Sequence, residues 1–278
     1  MPIAIVRGAK ISYQVLGDRG PWIALSPGGR REAKGLESIG KALAGLGYHV
    51  LLHDRRNCGA SDLVFDSNTP EYEIWADDLH ALLGQLGALP AVIGGSSSGC
   101  RLSLLFALKY PAAVRALLLW RVTGGAYAAN RLAQNYYGQY AEMARKGGMV
   151  AICESEHFAQ RIAVRPEHRQ TLMAIDPIRF AEIMEGWDCS FRKAAETPII
   201  GASEQELRSL RVPACIVPGF DKTHPQPVGE TAHRFIAGSK LHIVMTEEPK
   251  PGESTAKAWK PKEPELVALF GDFLKRKL

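Results

Sequence analysis

The sequence predicts an α/β fold: a mostly parallel central sheet, flanked by helices and interrupted by a helical insertion. Short apolar runs alternate with helical stretches over residues 1–122 and again over 209–278, which is typical of a parallel sheet covered on both faces. Residues 123–208 contain helical patterns and no convincing strand pattern. We therefore expect one α/β core, built from the two outer segments, with the helical segment inserted between its strands.

The first part of the core begins with two short β-rich runs, "IAIVRG" and "KISYQVLG", which predict a hairpin because a glycine turn separates them. Four further apolar runs predict strands, at residues 22–27, 48–54, 90–96 and 114–122. Three stretches predict helices, from Glu32 to about Leu46, over residues 71–87, and from Ser98 to Pro111.

The second part of the core repeats this alternation after the insertion. Apolar runs predict strands at residues 214–219 and 240–245. Helical patterns lie near residues 228–237 and over the last stretch, "PELVALFGDFLKRK". We find no internal repeat and no low-complexity segment, so the chain is expected to hold a single α/β core.

Composition and charge exclude several classes of function. The chain has 278 residues, 46% of them hydrophobic, and a net charge of +5. Its only dense basic cluster is the C-terminal "KRKL", whereas a nucleic-acid-binding protein gathers Lys and Arg into a stripe with aromatic residues. No metal-ligand cluster, phosphate loop or dinucleotide fingerprint is present, so we expect no cofactor and no metal. The expected partner is a small-molecule substrate, and a homo-oligomer is compatible with the sequence.

Cysteine usage and hydropathy point to the cytoplasm. The five cysteines are widely spaced and contain no C-x-x-C pair, which argues against both a disulfide framework and a zinc site. No apolar run approaches the roughly 18 residues that a membrane span requires. The N-terminal stretch has no apolar region behind a basic start, so we expect no signal peptide.

A glycine-rich bend at "IGGSSSGC" is the strongest chemical signal. The pattern G-x-S-x-G fits one register only, Gly95 to Gly99, which makes Ser97 the predicted nucleophile. Small residues flank the serine because strand and helix nearly collide at such a turn. The helix that follows directs its N-terminal amides at the site, so the N–H of Ser98 is a predicted oxyanion donor. The alternative is a turn that merely joins strand to helix.

The chain resembles the α/β-hydrolase superfamily over nearly all its length. The stretch "GGSSSG" matches that family's nucleophile elbow, and "HDRRNCGASD" is similar to its Asp-x-Arg-Gly-x-Gly-x-Ser segment, with Asn57 in place of a glycine. "LSPGGR" resembles the oxyanion loop, which in the family often begins with His-Gly and here begins with Ser26-Pro27. The resemblance implies that Gly28 or Gly29 supplies the second oxyanion donor, and that residues 123–208 form a helical cap.

The same resemblance nominates an acid and leaves the base unassigned. "VPGFDKTHP" looks like the acid loop after the penultimate core strand, which nominates Asp221. In the family the catalytic histidine follows the last strand, but here no histidine occurs after His242. His224, three residues after Asp221 in the sequence, is one candidate base, because its loop lies at the carboxyl ends of the strands.

Two other residues are alternative bases. His157 in the insertion would hang from the cap over Ser97. Lys257 stands near the family's usual histidine position, but its pKa would have to fall by about 3 units for it to act as a base at neutral pH. His53 is expected to be a packed, hydrogen-bonded histidine with no catalytic part.

The insertion is the only source of information on the substrate. We name Arg30, His157 and Trp187 as candidate substrate contacts. The insertion adds further aromatic and arginine residues, whose alternative role is packing: Tyr127, Tyr136, Tyr137, Tyr140, Phe158, Phe180, Phe191, Arg131, Arg161 and Arg192. A small substrate with an apolar or aromatic body, with or without a carboxylate, would suit such a pocket.

Three functions fit these observations. The first is a hydrolase acting on a small ester, a thioester or a C–C bond next to a carbonyl, through Ser97 and an atypical or displaced base. The second is a cofactor-free lyase or oxygenase, and the third is a non-catalytic ligand-binding member of the fold. Whether the chain supplies a base for Ser97 distinguishes the hydrolase from the other two functions. A serine triad without its base keeps only roughly 10³–10⁴-fold catalysis over water.

Overall fold

The computed structural model describes residues 1–248 and 254–278. Its strands form one sheet in the order β1-β2-β4-β3-β5-β6-β7-β8, with β1 and β2 antiparallel to their neighbours and all other pairs parallel. The mostly parallel sheet predicted from the sequence is confirmed. The strands are β1 (Ile3–Val6), β2 (Ala9–Leu16), β3 (Trp22–Ser26), β4 (His49–His53), β5 (Ala91–Ser96), β6 (Val114–Trp120), β7 (Ala214–Val217) and β8 (Lys240–Leu241).

Helices cover both faces of this sheet and fill the segment between β6 and β7. The described residues form α1 (Glu37–Gly45), α2 (Glu71–Gln85), α3 (Ser98–Lys109), α4 (Ala126–Ala133), α5 (Gln139–Glu154), α6 (Glu156–Val164), α7 (Glu167–Met173), α8 (Pro177–Lys193), α9 (Glu204–Ser209), α10 (Gln226–Phe235), α11 (Thr255–Trp259) and α12 (Glu263–Lys277). A π-helical stretch, Gln134–Gly138, joins α4 to α5.

Most predicted elements lie within a few residues of their expected bounds, and two differ. The predicted strand at 240–245 is only Lys240–Leu241, because the pairing with β7 ends there; beyond it, the N–H of His242 donates to the carbonyl of Ile216 (2.9 Å). The helix expected from Glu32 begins instead with a 3₁₀ turn at Ala33–Leu36. The predicted hairpin is confirmed, with Arg7 and Gly8 at positive φ in its two-residue turn.

Alternating residues of the strands pack into two separate cores. On β4, Leu51 belongs to a cluster with α2, α3 and the insertion, whereas Val50 and Leu52 belong to a cluster with α1 and α12. This period of two is what a strand buried on both faces requires. The sheet is therefore held rigidly from both sides, which fixes where the carboxyl ends of its strands present their loops.

Helices α4 to α9 form the insertion, and side chains fasten it to the core. Tyr137 donates a hydrogen bond to Glu71 (3.0 Å), and Arg165 lies 3.0 Å from the carboxylate of Asp62. The division of the chain into core and cap stays a prediction. In the described part of the chain, we find no helix with the length and hydropathy that a membrane crossing requires.

Candidate active site

Ser97 occupies a strained turn between β5 and α3, at φ 56° and ψ −111°. The turn closes only around glycines: a Cβ on Gly95 would lie 2.5 Å from the Cα of Gly99, and a Cβ on Gly99 would lie 2.1 Å from the carbonyl oxygen of Ser26. Strain of this kind persists where the surrounding structure imposes it, most often at active sites. The turn therefore presents the Ser97 hydroxyl beyond the end of the sheet.

The imidazole of His224 lies directly against this hydroxyl. Its Nε2 is 2.8 Å from the Oγ of Ser97, and its Nδ1 is 2.9 and 3.0 Å from the two carboxylate oxygens of Asp221. A carboxylate can only accept, so Nδ1 carries the proton and Nε2 is left to accept the hydrogen of the serine hydroxyl. Ser97, His224 and Asp221 thus have the mutual geometry of a nucleophile, a base and the group that orients the base.

A tight turn in the loop after β7 places Asp221 and His224 side by side. The N–H of His224 donates to the carbonyl of Asp221 (3.0 Å), and the N–H of Thr223 donates to the Asp221 carboxylate (2.8 Å). Gly219 leaves room for the histidine, because a Cβ on Gly219 would lie 2.3 Å from the Cβ of His224. Histidine and aspartate, three residues apart in the chain, therefore face each other across the turn.

The electrostatics of the pair suit a base at neutral pH. Burial lowers the pKa of His224 and outweighs the opposing effect of its hydrogen bond to Asp221, while the cations of Arg121 and Arg131 lower that pKa further. Burial alone would raise the pKa of Asp221, but its hydrogen bond to His224 and the other nearby donors bring it down to about 2. At neutral pH the imidazole is uncharged and the carboxylate is ionised, which is the protonation state in which His224 can accept a proton.

The predicted oxyanion donors differ in how closely their backbones approach Ser97. A Cβ on Gly28 would lie 3.2 Å from the Cβ of Ser97, so the Gly28 backbone passes directly beside the nucleophile. Ser98 is the first residue of α3, where the N–H groups have no partner within the helix. Gly29 lies under the insertion, because its Cβ would be 3.5 Å from the hydroxyl of Tyr136. Gly28 and Ser98 are accordingly the better pair.

A buried ion pair holds the loop that carries Gly28 and Gly29. Arg30 lies 2.8 Å from the carboxylate of Glu71, which also accepts hydrogen bonds from Asn57 (3.0 Å) and Tyr137 (3.0 Å). The other terminal nitrogen of the Arg30 guanidinium donates to the carbonyl of Tyr136 (2.8 Å). Arg30 lines the cavity described below, as the prediction requires, but its charge is already matched by Glu71.

The other candidates for the base or for substrate contact lie in different surroundings. His157 lines the same cavity, and burial together with Arg30 and Arg161 holds its pKa well below the ordinary histidine value. Lys257 is exposed on α11 and is not among the residues lining the cavity. His53 is fully buried, as expected, but its ring nitrogens have no hydrogen-bond partner among the described residues, and burial lowers its pKa to about 3.

The expectation that Trp187 contacts the substrate needs correction. Its side chain is 2% exposed, packs against Tyr137 and Phe65, and donates a hydrogen bond to the carbonyl of Thr69 (2.8 Å). It is not among the residues that line the cavity. The physical reason is that the helical face carrying Trp187 is the face that anchors α8 to the core, so its indole is used for packing.

A cavity of about 960 Å³ opens over Ser97 and His224. The insertion forms much of its wall, and the loop after β3, the 3₁₀ turn with α1, the ends of β5 and β6, the loop after β7, α11 and α12 contribute the rest. The lining includes Gly28, Arg31, Arg121, Arg131, Tyr136, His157, Trp259 and Lys260. Among the described residues we find no group of three or more His, Cys, Asp or Glu side chains that could hold a metal ion.

Sequence reasoning missed Arg121 altogether. It follows the last residue of β6 at the carboxyl end of the strand, beside the strand that carries the nucleophile, and it lines the cavity. Its position was the available signal, because ligands of parallel α/β sheets bind at the carboxyl ends of the strands. The sequence pattern does not single it out, because the run "VRALLLWRV" as a whole predicts one buried strand.

Comparison with known proteins agrees with this architecture. The family model described as "alpha/beta hydrolase fold" matches residues 27–160. The chain is similar to the "Uncharacterized hydrolase YraK" of Bacillus subtilis (strain 168), with 35% identity over 113 residues, which is 41% of this chain and 41% of that protein. The matched stretch thus spans about two-fifths of this relative's length.

Solved structures match over nearly the whole chain. A thermophilic esterase from Thermogutta terrifontis is 21% identical, with a TM-score of 0.67 and coverage of 100% of this chain and 99% of the esterase. The enol-lactonase from Burkholderia xenovorans LB400 is 20% identical, with a TM-score of 0.66 and coverage of 99% and 100%. At these identities the likeness shows a shared fold.

Proposed function

We propose that the chain is a serine hydrolase of small carboxylic esters within the α/β-hydrolase superfamily, whose family model matches residues 27–160. One observation carries the proposal: His224 Nε2 lies 2.8 Å from the Oγ of Ser97 while its other nitrogen is held by Asp221. Ser97 is the nucleophile, His224 the base, and Asp221 the group that orients and stabilises the imidazole. The base is thus displaced from the family's usual position, as the sequence suggested for one of its candidates.

The reaction follows from this assignment. Ser97 attacks the acyl carbon of the ester as His224 takes the serine proton, and the resulting oxyanion is held by the amides of Gly28 and Ser98. Collapse of this intermediate breaks the ester C–O bond, and His224 returns the proton to the leaving alcohol. Water then attacks the acyl-enzyme by the same route, which releases the acid and restores Ser97.

The surroundings of the three residues support this assignment. Ser97 and His224 are only 6% and 5% exposed, so the hydrogen bond between them is shielded from bulk water, where it would be weaker. The cavity of about 960 Å³ falls within the usual range of roughly 300–1,000 Å³ for small-molecule sites. A thioester would be cleaved by the same steps, because the acyl carbon is attacked in the same way.

The test is covalent labelling of the nucleophile. Wild type, Ser97→Ala and Ser209→Ala are treated with a fluorophosphonate, and their intact masses are measured beside their hydrolysis of para-nitrophenyl acetate. Ser209 is a matched control, because it is an exposed serine at the end of α9. We expect one adduct and ester turnover in wild type and in Ser209→Ala, and neither in Ser97→Ala. A folded wild type that takes no adduct would overturn the proposal and favour the lyase, oxygenase or binding function.

A further inference from the structure

We propose, building on the serine hydrolase function, that the ester substrate carries a carboxylate on its acyl part and that Arg121 binds this carboxylate. The cationic side chains that line the cavity fall into two groups. One group already has carboxylate partners, and the other has none among the described residues.

The paired group accounts for most of the carboxylates in the wall. Arg30 lies 2.8 Å from Glu71, Arg161 lies 3.2 Å from Glu32, and Lys260 lies 2.8 Å from Glu263. Glu156, the other carboxylate of the wall, is exposed at the start of α6, near Tyr140. The charges of the three paired cations are therefore neutralised by the protein's own carboxylates, so these cations attract an anionic ligand only weakly.

Arg31, Arg121 and Arg131 form the second group, and no ion pair involves them among the described residues. Arg31 and Arg131 are exposed, so water can solvate their charges. Within the described part of the chain, the side chain of Arg131 donates only to the hydroxyl of Thr223, at 3.3 Å. Arg121 differs from both, because its Nε is buried and has no hydrogen-bond partner among the described residues.

Both the backbone conformation and the partial burial of Arg121 are energetically unfavourable. Its backbone has φ 58°, which is rare for a residue with a long side chain, and its N–H is tied to the carbonyl of Val217 (2.8 Å). Its guanidinium lies 6.0 Å from the centre of the Trp259 ring. Burial lowers the pKa of Arg121 to about 10, with Asp221 opposing and Arg31 reinforcing that effect. Arg121 is only partly exposed and has no ion-pair partner among the described residues, which is unfavourable for its charge, and an anion that entered the cavity would relieve this cost.

A carboxylate is the anion that this place fits. The guanidinium is planar and its donors match the two oxygens of a carboxylate. The aromatic ring of Trp259 beside it supplies an apolar wall for the chain that links such a carboxylate to the ester. Because Arg121 lines the same cavity as Ser97 and His224, a carboxylate bound to it keeps the rest of the substrate in the cavity of the reacting groups.

The rival explanation is that Arg121 only tunes His224. A cation beside the imidazole lowers the pKa of the imidazole whatever the substrate is, so this role would affect neutral and anionic esters alike. Binding of a carboxylate would instead affect only the anionic ester, mainly through KM. A comparison of two esters with the same leaving group separates these two roles.

The experiment measures kcat and KM for para-nitrophenyl hexanoate and mono-para-nitrophenyl adipate, whose acyl chains have equal length and differ in the terminal carboxylate. We compare wild type, Arg121→Gln, Arg121→Lys and Arg179→Gln, the last a matched control on the outer part of α8, where Arg179 pairs with Glu182. Thermal unfolding of each variant checks its fold, and Arg121→Lys keeps the charge if Arg121→Gln is unstable.

We expect wild type to prefer the adipate ester, and Arg121→Gln to lose about 10- to 100-fold in kcat/KM on that ester through KM, the size of a hydrogen bond to a charged group. The hexanoate ester should change by less than about threefold, and Arg121→Lys should be intermediate on the adipate because it lacks the planar fork. Equal losses on both esters, or no preference in wild type, would overturn the inference while leaving the hydrolase intact. Failure of the hydrolase proposal looks different, because neither ester would then be cleaved.

Discussion

Two loops at the same edge of the sheet differ in what they carry. The loop after β7 holds both the half-buried Asp221 and the buried His224, in a tight turn that places the histidine against Ser97. The segment after β8 holds no histidine beyond His242, and its Lys257 is exposed on α11. Since β7 lies beside β6, which in turn lies beside the strand that carries Ser97, the first loop is the nearer of the two to the nucleophile.

A nucleophile, its base and the group that orients the base can therefore be brought together by geometry whatever their order along the chain. A serine needs an imidazole nitrogen within hydrogen-bond reach and a carboxylate on the other nitrogen. The turn at Asp221 meets both needs within one short loop, and its carboxylate also accepts the N–H of Thr223. One side chain thereby fixes both the backbone of the loop and the orientation of the imidazole.

Alanine substitutions in the two segments should differ most strongly in their effect on ester hydrolysis. His224→Ala should lower kcat/KM for para-nitrophenyl acetate by about 10⁴-fold or more, because loss of a triad base removes most of the catalysis. In Lys257→Ala, kcat/KM should stay within about threefold of wild type, since the lysine side chain is exposed and does not line the cavity. His157→Ala changes the wall of the cavity, so it should raise KM and leave most of kcat unchanged. A collapse of activity in Lys257→Ala with retention in His224→Ala would reverse the comparison.

A smaller effect tests the turn that brings histidine to serine. Gly219→Ala adds a methyl group 2.3 Å from the Cβ of His224, so the histidine must shift. A displacement of about 1 Å at a catalytic group costs roughly 10²-fold in rate, and we expect a loss of that order in kcat for para-nitrophenyl acetate.

The matched control is Gly186→Ala, in the middle of α8. An added Cβ at Gly186 meets no atom within 4 Å, so this variant should keep full activity and be slightly more stable. An unchanged kcat in a well-folded Gly219→Ala would mean that the loop tolerates the displacement and that the turn is not what positions the base.

The fold was predictable because its signals are local. Apolar runs such as "WIALSP" and the register of G-x-S-x-G can be read within a few residues, and both led to the right elements. The short β8 was less predictable, because its pairing ends at Leu241 although the apolar pattern continues.

The site was less predictable because it depends on contacts between distant residues. Asp221 and Ser97 could be nominated from motifs, but the hydrogen bond of His224 to Ser97 joins residues 127 positions apart, and the sequence leaves several candidate bases open. Whether an aromatic residue packs or faces a ligand is equally invisible in a sequence, and Trp187 is an example of packing. The glycine that admits the histidine, Gly219, could not be singled out from the loop, because its role depends on a contact that only the folded turn creates.

The smallest effect concerns the charge around His224. Burial and two arginines hold the pKa of His224 below its ordinary value of about 6.5, so kcat/KM for a neutral ester should rise with pH through a midpoint below that value. Arg131→Gln removes one of the cations that lower this pKa, so the midpoint should move upward, toward the ordinary histidine value. The rate profile with pH, measured with para-nitrophenyl acetate beside Arg179→Gln as the control, checks both directions. A midpoint above 6.5 in wild type, or a downward shift in Arg131→Gln, would show that the loop after β7 does not hold its histidine in the uncharged form assigned to it.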